Sequence, residues 1–405
     1  MSALTTDPLE ELKRCNRIAT YADLRDRLPV YWSSVRPAWI VSRYADVNGI
    51  LRNPQSVAVE PAKSLRLLGQ RGGIDLSSLQ RFLSSMSFFT HPPTHDALRR
   101  VLAQAVAAIR GPTLQTSLER YADQLLDAGL RKGSIDLVDG YGKALALSVI
   151  GGYFGIAESD ISRLSALIWE LMEVFEFTLP TVKNLLRFND CAHELTEYFA
   201  RLVAARRLNP TPDGISTIIR LFDNQLRQSD EEVAQHCLTL FIAAEATTGA
   251  GISAAALELL ERPELSAKLR TNMSLLPSAV QEIMRLHSPV QCVLRQLPAD
   301  LTVADQTIRA GDSIVLMLGA ANRDPRAFTD PDNIVLGRAE PKPLTFAAGA
   351  YACIGMQLAT LEVEIGVRKL LDRRSLRLSG EPPVWSSRRS FESLERVPAV
   401  FVQGA

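Results

Sequence analysis

One cysteine stands in a setting that an inert thiol does not need. In "LTFAAGAYACIG", residues 344–355, Cys353 follows Ala347, Ala348, Ala350 and Ala352, with Gly349 before it and Gly355 after it. Small side chains admit a bulky neighbour, and glycine reaches backbone conformations closed to other residues. A helix reads from about 354 to 371, and N–H groups at its start favour a thiolate over a thiol. An unreactive cysteine in a Gly/Ala turn is the competing reading of this stretch alone.

Two charged constellations bear on the choice. In "QEIMRLHSP", Glu282 and Arg285 are spaced to pair on one helical face, in a segment too apolar for surface decoration. Their role is to hold the region around the cysteine. In "HPPTHDALRR", His95 and Arg99 lie four apart at a helix start and present two donors to one anion; Arg295 is a third candidate. The plain alternative makes His95 a cap and Arg99 solvated. A single thiolate suits the axial position of heme iron, and heme propionates are anions of the required kind. Iron–sulfur clusters need several cysteines, and zinc needs further ligands.

The stretch "EEVAQHCLTLFIAAEATTGAGISAAALELL", residues 231–260, reads as a long apolar helix with a polar island at 245–248. Polar groups inside such a helix are costly unless paired. Ala243, Ala244, Ala246 and Gly249 leave room for a flat group. Thr247 can offer a hydroxyl to bound dioxygen or water, and Glu245 can relay protons or receive a substrate cation. A simple kink, with threonine hydroxyls bonded back to carbonyls, is the alternative.

The elements that must position these residues are mainly α with a minor β region. "AWIVSRYADVNGILRNP", 38–54, reads as a strand and then a helix that Asn53–Pro54 ends. Residues 55–90 read as an irregular lid segment. Helices dominate from 94 to about 290, and those around "TLPTV" form a mobile cover. Beyond 290 come short β runs. The expected organisation is one domain over 1–405, with β-rich parts near 28–60 and 290–400 and a helical body at 94–290.

The 405 residues carry 45 Lys plus Arg and 45 Asp plus Glu, so no charge excess points to nucleic acid. Cys15, Cys191, Cys237 and Cys292 are widely spaced and read as buried apolar residues. The first residues, "MSALTTDPLEELKRCNR", are charged where a signal peptide is apolar, and no run reads as long enough to span a bilayer. The expected location is cytoplasmic.

Read together and in order, "WIVSRYADVNGIL", "HPPTHDALRR", "VIGGYFGI", "AAEATT", "EIMR", "ANRDPRAFTDPD" and "FAAGAYACIG" resemble the cytochrome P450 family, its soluble bacterial members in particular. The resemblance covers almost the whole chain and implies that family's triangular prism fold. It implies Cys353 as the proximal ligand of heme b (iron protoporphyrin IX), with Phe346 packed on the sulfur side. It implies propionate contacts from His95, Arg99 and Arg295, a structural pair in Glu282 and Arg285, and Thr247 as the distal threonine. Asn322, Arg323 and Asp324 would support the sheet. Three departures stand out. Ala347 replaces a usual glycine, Tyr351 replaces a usual His or Arg, and Ala246 replaces the usual acid before the threonine.

The resemblance implies a monooxygenase that inserts one oxygen atom from dioxygen into a small, largely apolar substrate, in secondary metabolism. No GxGxxG or ferredoxin cysteine set is present. Electrons would therefore come from an external ferredoxin or flavodoxin and its reductase, with the protein itself a monomer. Phe88, Phe89, Ala243, Ala246, Val293 and Leu294 are candidate pocket residues, with Leu167 and Phe175 behind them. Without the acid at 246, desaturation, coupling or rearrangement is the alternative chemistry; a non-catalytic heme sensor is the alternative class.

Overall fold

The computed structural model describes residues 7–14, 17–110, 113–176, 180–338 and 341–402. Cys15, and residues 178 and 179 of the expected break, lie outside them. The chain divides into two compact units. Met1–Val57, Ser117–Leu145 and Thr247–Ala405 form the first; Ala58–Thr116 and Ala146–Ala246 form the second. Among the described residues every strand lies in the first unit, and the second is helical.

The largest sheet has four strands in the order Val30–Ser33, Ala38–Val41, Ser313–Met317, Cys292–Gln296. Ala38–Val41 pairs antiparallel with its sequence neighbour, Val30 opposite Val41. Its other edge runs parallel to Ser313–Met317, with Ile40 opposite Val315. Apolar runs such as "SIVLM" suit a strand covered on both faces. The core beneath includes Val41, Ile314 and Leu316, Ile50 and Leu51 from the helix Tyr44–Arg52, and Leu344 and Ala348 from the cysteine loop. Sheet, helix and loop therefore share one apolar core, and that core sets the height of the loop.

Residues 55–90 correct the expectation of an irregular lid. They form two helices, Pro61–Gly72 and Ser77–Ser85, and a short 3-10 turn, Ser87–Phe89. Pro61 starts the first helix and Gly73, at φ 62°, ends it in the left-handed conformation. Of the three glycines that made the segment read as irregular, Gly69 and Gly72 lie within the helix and Gly73 stops it.

The helix Asp230–Glu261 is continuous through its polar island. It is long and apolar enough to cross a membrane, which corrects the reading that no run is; 78% of its apolar window is buried inside the protein. A Cβ on Gly142 would lie 2.8 Å from the Gly249 carbonyl oxygen, so two backbones touch where only glycine fits. That contact fixes the rotation of the helix about its own axis.

Candidate active site

The cysteine loop is built by its own backbone. The Cys353 N–H donates to the Phe346 carbonyl at 2.9 Å and Ala352 N–H to the Gly349 carbonyl at 3.1 Å. Gly349 has φ 72°, and a Cβ there would lie 2.0 Å from the Leu51 carbonyl oxygen. Glycine is thus required on both conformational and steric grounds. Gly355 differs from expectation: its φ of −88° is open to any residue, and a Cβ would sit 3.7 Å from Cys353 Sγ in ordinary contact. Ala347 holds φ 55°, so the alanine that replaces the family's glycine occupies a left-handed position. Cys191, Cys237 and Cys292 are buried, whereas Cys353 is exposed, three residues before the helix Met356–Leu371. A helix N-terminus favours the thiolate.

Beside the loop, Arg295 is 5% exposed, yet no carboxylate pairs with it among the described residues. Its guanidinium carbon lies 4.8 Å over the ring of Tyr351, one Nη donates to the Leu294 carbonyl, and Nε has no partner. Burial pushes its pKa down to about 10, with Tyr351 a smaller opposing influence. A desolvated cation of this kind calls for an anion. Successive residues of a strand face opposite ways, so Val293 and Leu294 cannot both line one pocket. Val293 lies on the same face as Arg295 and is partly buried against the sheet core, whereas Leu294 faces the other way.

Glu282 and Arg285 pair through two parallel bonds, Nε to Oε1 at 2.8 Å and Nη2 to Oε2 at 2.9 Å, at essentially zero exposure. Arg285 also donates to the carbonyls of Asn322, Pro331 and Asn333. Burial opposes charge on Glu282, but bonds from Arg285, the Val335 N–H and Arg338 outweigh it and hold its pKa below the ordinary value. Asn322 extends the network. Its Oδ1 accepts from the Leu344 N–H and its Nδ2 reaches Thr345 and Ser288, so the brace runs into the first residues of the cysteine loop. Arg338, a second cation on Glu282 at 3.1 Å, carried no local sequence signal.

On the long helix, side chains advance about 100° per residue. Ala243, Ala244, Thr247 and Ala250 fall on one open arc, while Ala246 is 4% exposed and turned into packing. Ala246 therefore leaves the pocket set. Glu245 lies roughly 160° from Thr247 round the helix. Its Oε1 accepts from Ser165 Oγ and, at 3.1 Å, from Trp169 Nε1, both on the helix Glu158–Leu171. The unbroken helix therefore directs the Glu245 carboxylate to Ser165 and Trp169, away from the arc that carries Thr247, rather than to a proton relay beside it. Trp169 in "SALIWELM" is a trace of this contact, since a buried indole needs an acceptor.

His95 and Arg99 share a face of Thr94–Ile109, where His95 is buried with Nδ1 2.7 Å from Asp96 Oδ1. Phe88, Phe89 and Phe175 form an aromatic run, with ring centroids 4.7 and 5.9 Å apart, and Phe88 is 40% exposed. Leu167 is buried and belongs to the core.

This geometry agrees with three comparisons. The cytochrome P450 family model matches residues 77–395. The biotin biosynthesis cytochrome P450 of Bacillus subtilis (strain 168) is 32% identical over 98% of this chain and 99% of its own. The mycinamicin IV hydroxylase/epoxidase of Micromonospora griseorubida is 29% identical over 90% of each chain. The crystal structure of P450BioI, in complex with acyl carrier protein ligated to hexadec-9Z-enoic acid, has a TM-score of 0.87 and 31% identity. It covers 97% of this chain and 100% of its own. The chain belongs to the cytochrome P450 family. It is an oxidoreductase of the monooxygenase type with that family's fold, and the family's cofactor is heme b.

The residues present fit that cofactor. An exposed cysteine stands at a helix start, a buried cation lacks a carboxylate, and small side chains open one arc of the long helix.

Proposed function

We propose that this P450 inserts oxygen into an apolar acyl chain delivered on a carrier protein, as a step of secondary metabolism. The observation that carries the site assignment is Arg295, a buried guanidinium without a carboxylate, stacked on a residue of the cysteine loop. The substrate class is supported by the fatty acid-ligated acyl carrier protein in the P450BioI structure and by the run Phe88, Phe89 and Phe175.

Heme b, when bound, supplies dioxygen activation and electron transfer. Cys353 would supply the thiolate that holds the iron, in a setting at a helix start that favours the thiolate form, with Phe346 beside it. Gly349 seats the loop against Leu51. Arg295, oriented by the Tyr351 ring, would hold a heme propionate, and His95 with Arg99 is a second candidate pair for that anion. Glu282 and Arg285 hold the loop without touching the chemistry. Thr247 holds a water by its hydroxyl and passes a proton through it. Ala246 offers no acid, so the proton reaches Thr247 through solvent. Phe88, Phe89 and Ala243 contact the chain of the substrate and exclude water around it. Electrons come from an external ferredoxin or flavodoxin with its reductase, and the protein works as a cytoplasmic monomer.

The test is turnover of hexadec-9Z-enoyl acyl carrier protein with surrogate redox partners, scoring oxygenated product per NADH consumed. Oxygenated acyl product is expected, and NADH use without product would overturn the substrate reading. Cys353→Ser is expected to remove the red-shifted Soret band of the reduced carbon monoxide complex. A second reading rests on the absent acid at 246: desaturation, coupling or rearrangement in place of oxygen insertion. Label from isotopic dioxygen in the product distinguishes the two.

A further inference from the structure

The helix Pro61–Gly72 carries a surface that the site does not use. Ala62, Leu65 and Gly69 are buried, and the helix packs against Ser77–Ser85. Its outer stripe reads Lys63, Arg66, Leu67, Gln70 and Arg71, which is i, i+3, i+4, i+7, i+8, all exposed. Leu67 and Leu68 are 50% and 51% exposed. The helix contains no acid, and among the described residues no carboxylate pairs with Lys63, Arg66 or Arg71.

Some other exposed arginines of the same unit are neutralised. Arg81 pairs with Glu231, Arg163 with Glu194, Arg187 with Glu170, and Arg207 with Asp223 and Asp230. The whole chain has a formal net charge of zero. Arg100, Arg201, Arg220 and Arg227 are exposed without a carboxylate among the described residues as well. Among the described helices of this unit, however, only Pro61–Gly72 gathers three such cations beside two exposed leucines on one acid-free helix. That face is complementary to a partner surface that mixes carboxylates with apolar groups. A bilayer is the poorer match. Interfacial helices insert their apolar face, and here that face is already buried in the protein.

We propose that the outer face of Pro61–Gly72 docks an acidic carrier protein that brings the tethered chain. This rests on the acyl-carrier reading above. Lys63, Arg66 and Arg71 pair with its carboxylates, and Leu67 with Leu68 fills the centre of the contact.

The experiment uses the heme-loaded protein, wild type against Lys63→Glu/Arg66→Glu/Arg71→Glu and against the milder Arg66→Ala/Arg71→Ala. Binding of hexadec-9Z-enoyl acyl carrier protein is measured by calorimetry at two salt concentrations. Free hexadec-9Z-enoic acid is followed by the heme spin-state shift, and phosphatidylglycerol vesicles by co-sedimentation. The expected result is carrier affinity lowered about 10-fold or more by charge reversal, and less by the alanine pair. Added salt weakens wild-type binding, and free-acid affinity does not change. Equal carrier binding by wild type and both variants overturns the docking face while leaving the acyl-carrier reading intact. Wild type that binds free acid but no carrier overturns the reading, and the docking face with it. Binding to vesicles lost on charge reversal, without carrier binding, assigns the helix to a membrane surface instead.

Discussion

Glu282 and Glu245 are both buried carboxylates on helices, and they are satisfied in opposite ways. Glu282 meets two cations, Arg285 and Arg338, and a backbone N–H. Glu245 meets a serine hydroxyl and an indole N–H, contributed by another helix. The first forms a charged knot that braces the start of the cysteine loop. The second straps the long helix to Glu158–Leu171. One residue type at comparable burial does different work because the partner, not the carboxylate, decides whether charge is balanced locally.

The largest expected effect tests the knot. Glu282→Gln leaves Arg285 and Arg338 buried without their carboxylate and should cost about 3–5 kcal/mol, measured by denaturant unfolding of the heme-loaded protein. The same group sets an acid limit. Its folded pKa lies below the ordinary 4.5, so its stabilisation is complete above the unfolded value and is lost as pH falls through the folded one. Glu282→Gln should flatten that acid limb of the stability profile.

The strap should break differently. Glu245→Gln can still accept from Ser165 and Trp169, so stability should fall by about 1 kcal/mol with product per NADH unchanged. Thr247→Ala should lower product per NADH severalfold. Equal losses in the two variants would make Glu245 a proton relay and erase the contrast with Glu282.

Two smaller effects sharpen the cysteine side. Tyr351→Leu removes the ring under Arg295 and should weaken heme retention severalfold, for ~0.5–2 kcal/mol, while Tyr351→Phe should keep it; transfer to apomyoglobin reads both. Ala347→Gly relieves a left-handed alanine and should stabilise the protein by about 1 kcal/mol in thermal unfolding.

The contrast also marks where local pattern suffices. The Glu282–Arg285 pair was legible because its partners sit one helical turn apart, and Gly349 because a turn before a helix needs a glycine. Arg338 and Asn322 were not legible as members of the same knot, since their distance in sequence hides their distance in space. The two helices within 55–90 were misread because their glycines look irregular until Gly73 is seen to stop a helix. Ala246 was misplaced because residue type does not say which way a side chain points.

The sequence by itself determined the mostly helical class, the family, the single cysteine suited to a heme thiolate and the missing acid at 246. All of these follow from residue type, short spacing or motif order. Only the tertiary structure decided the rest. Ile40 lies opposite Val315, Arg295 rests on Tyr351, and Gly142 against Gly249 sets the rotation that opens Thr247 and turns Glu245 towards Trp169. The physical reason is that a helix repeats its faces every 3.6 residues, but which face meets a neighbour is settled by contacts far apart in the chain.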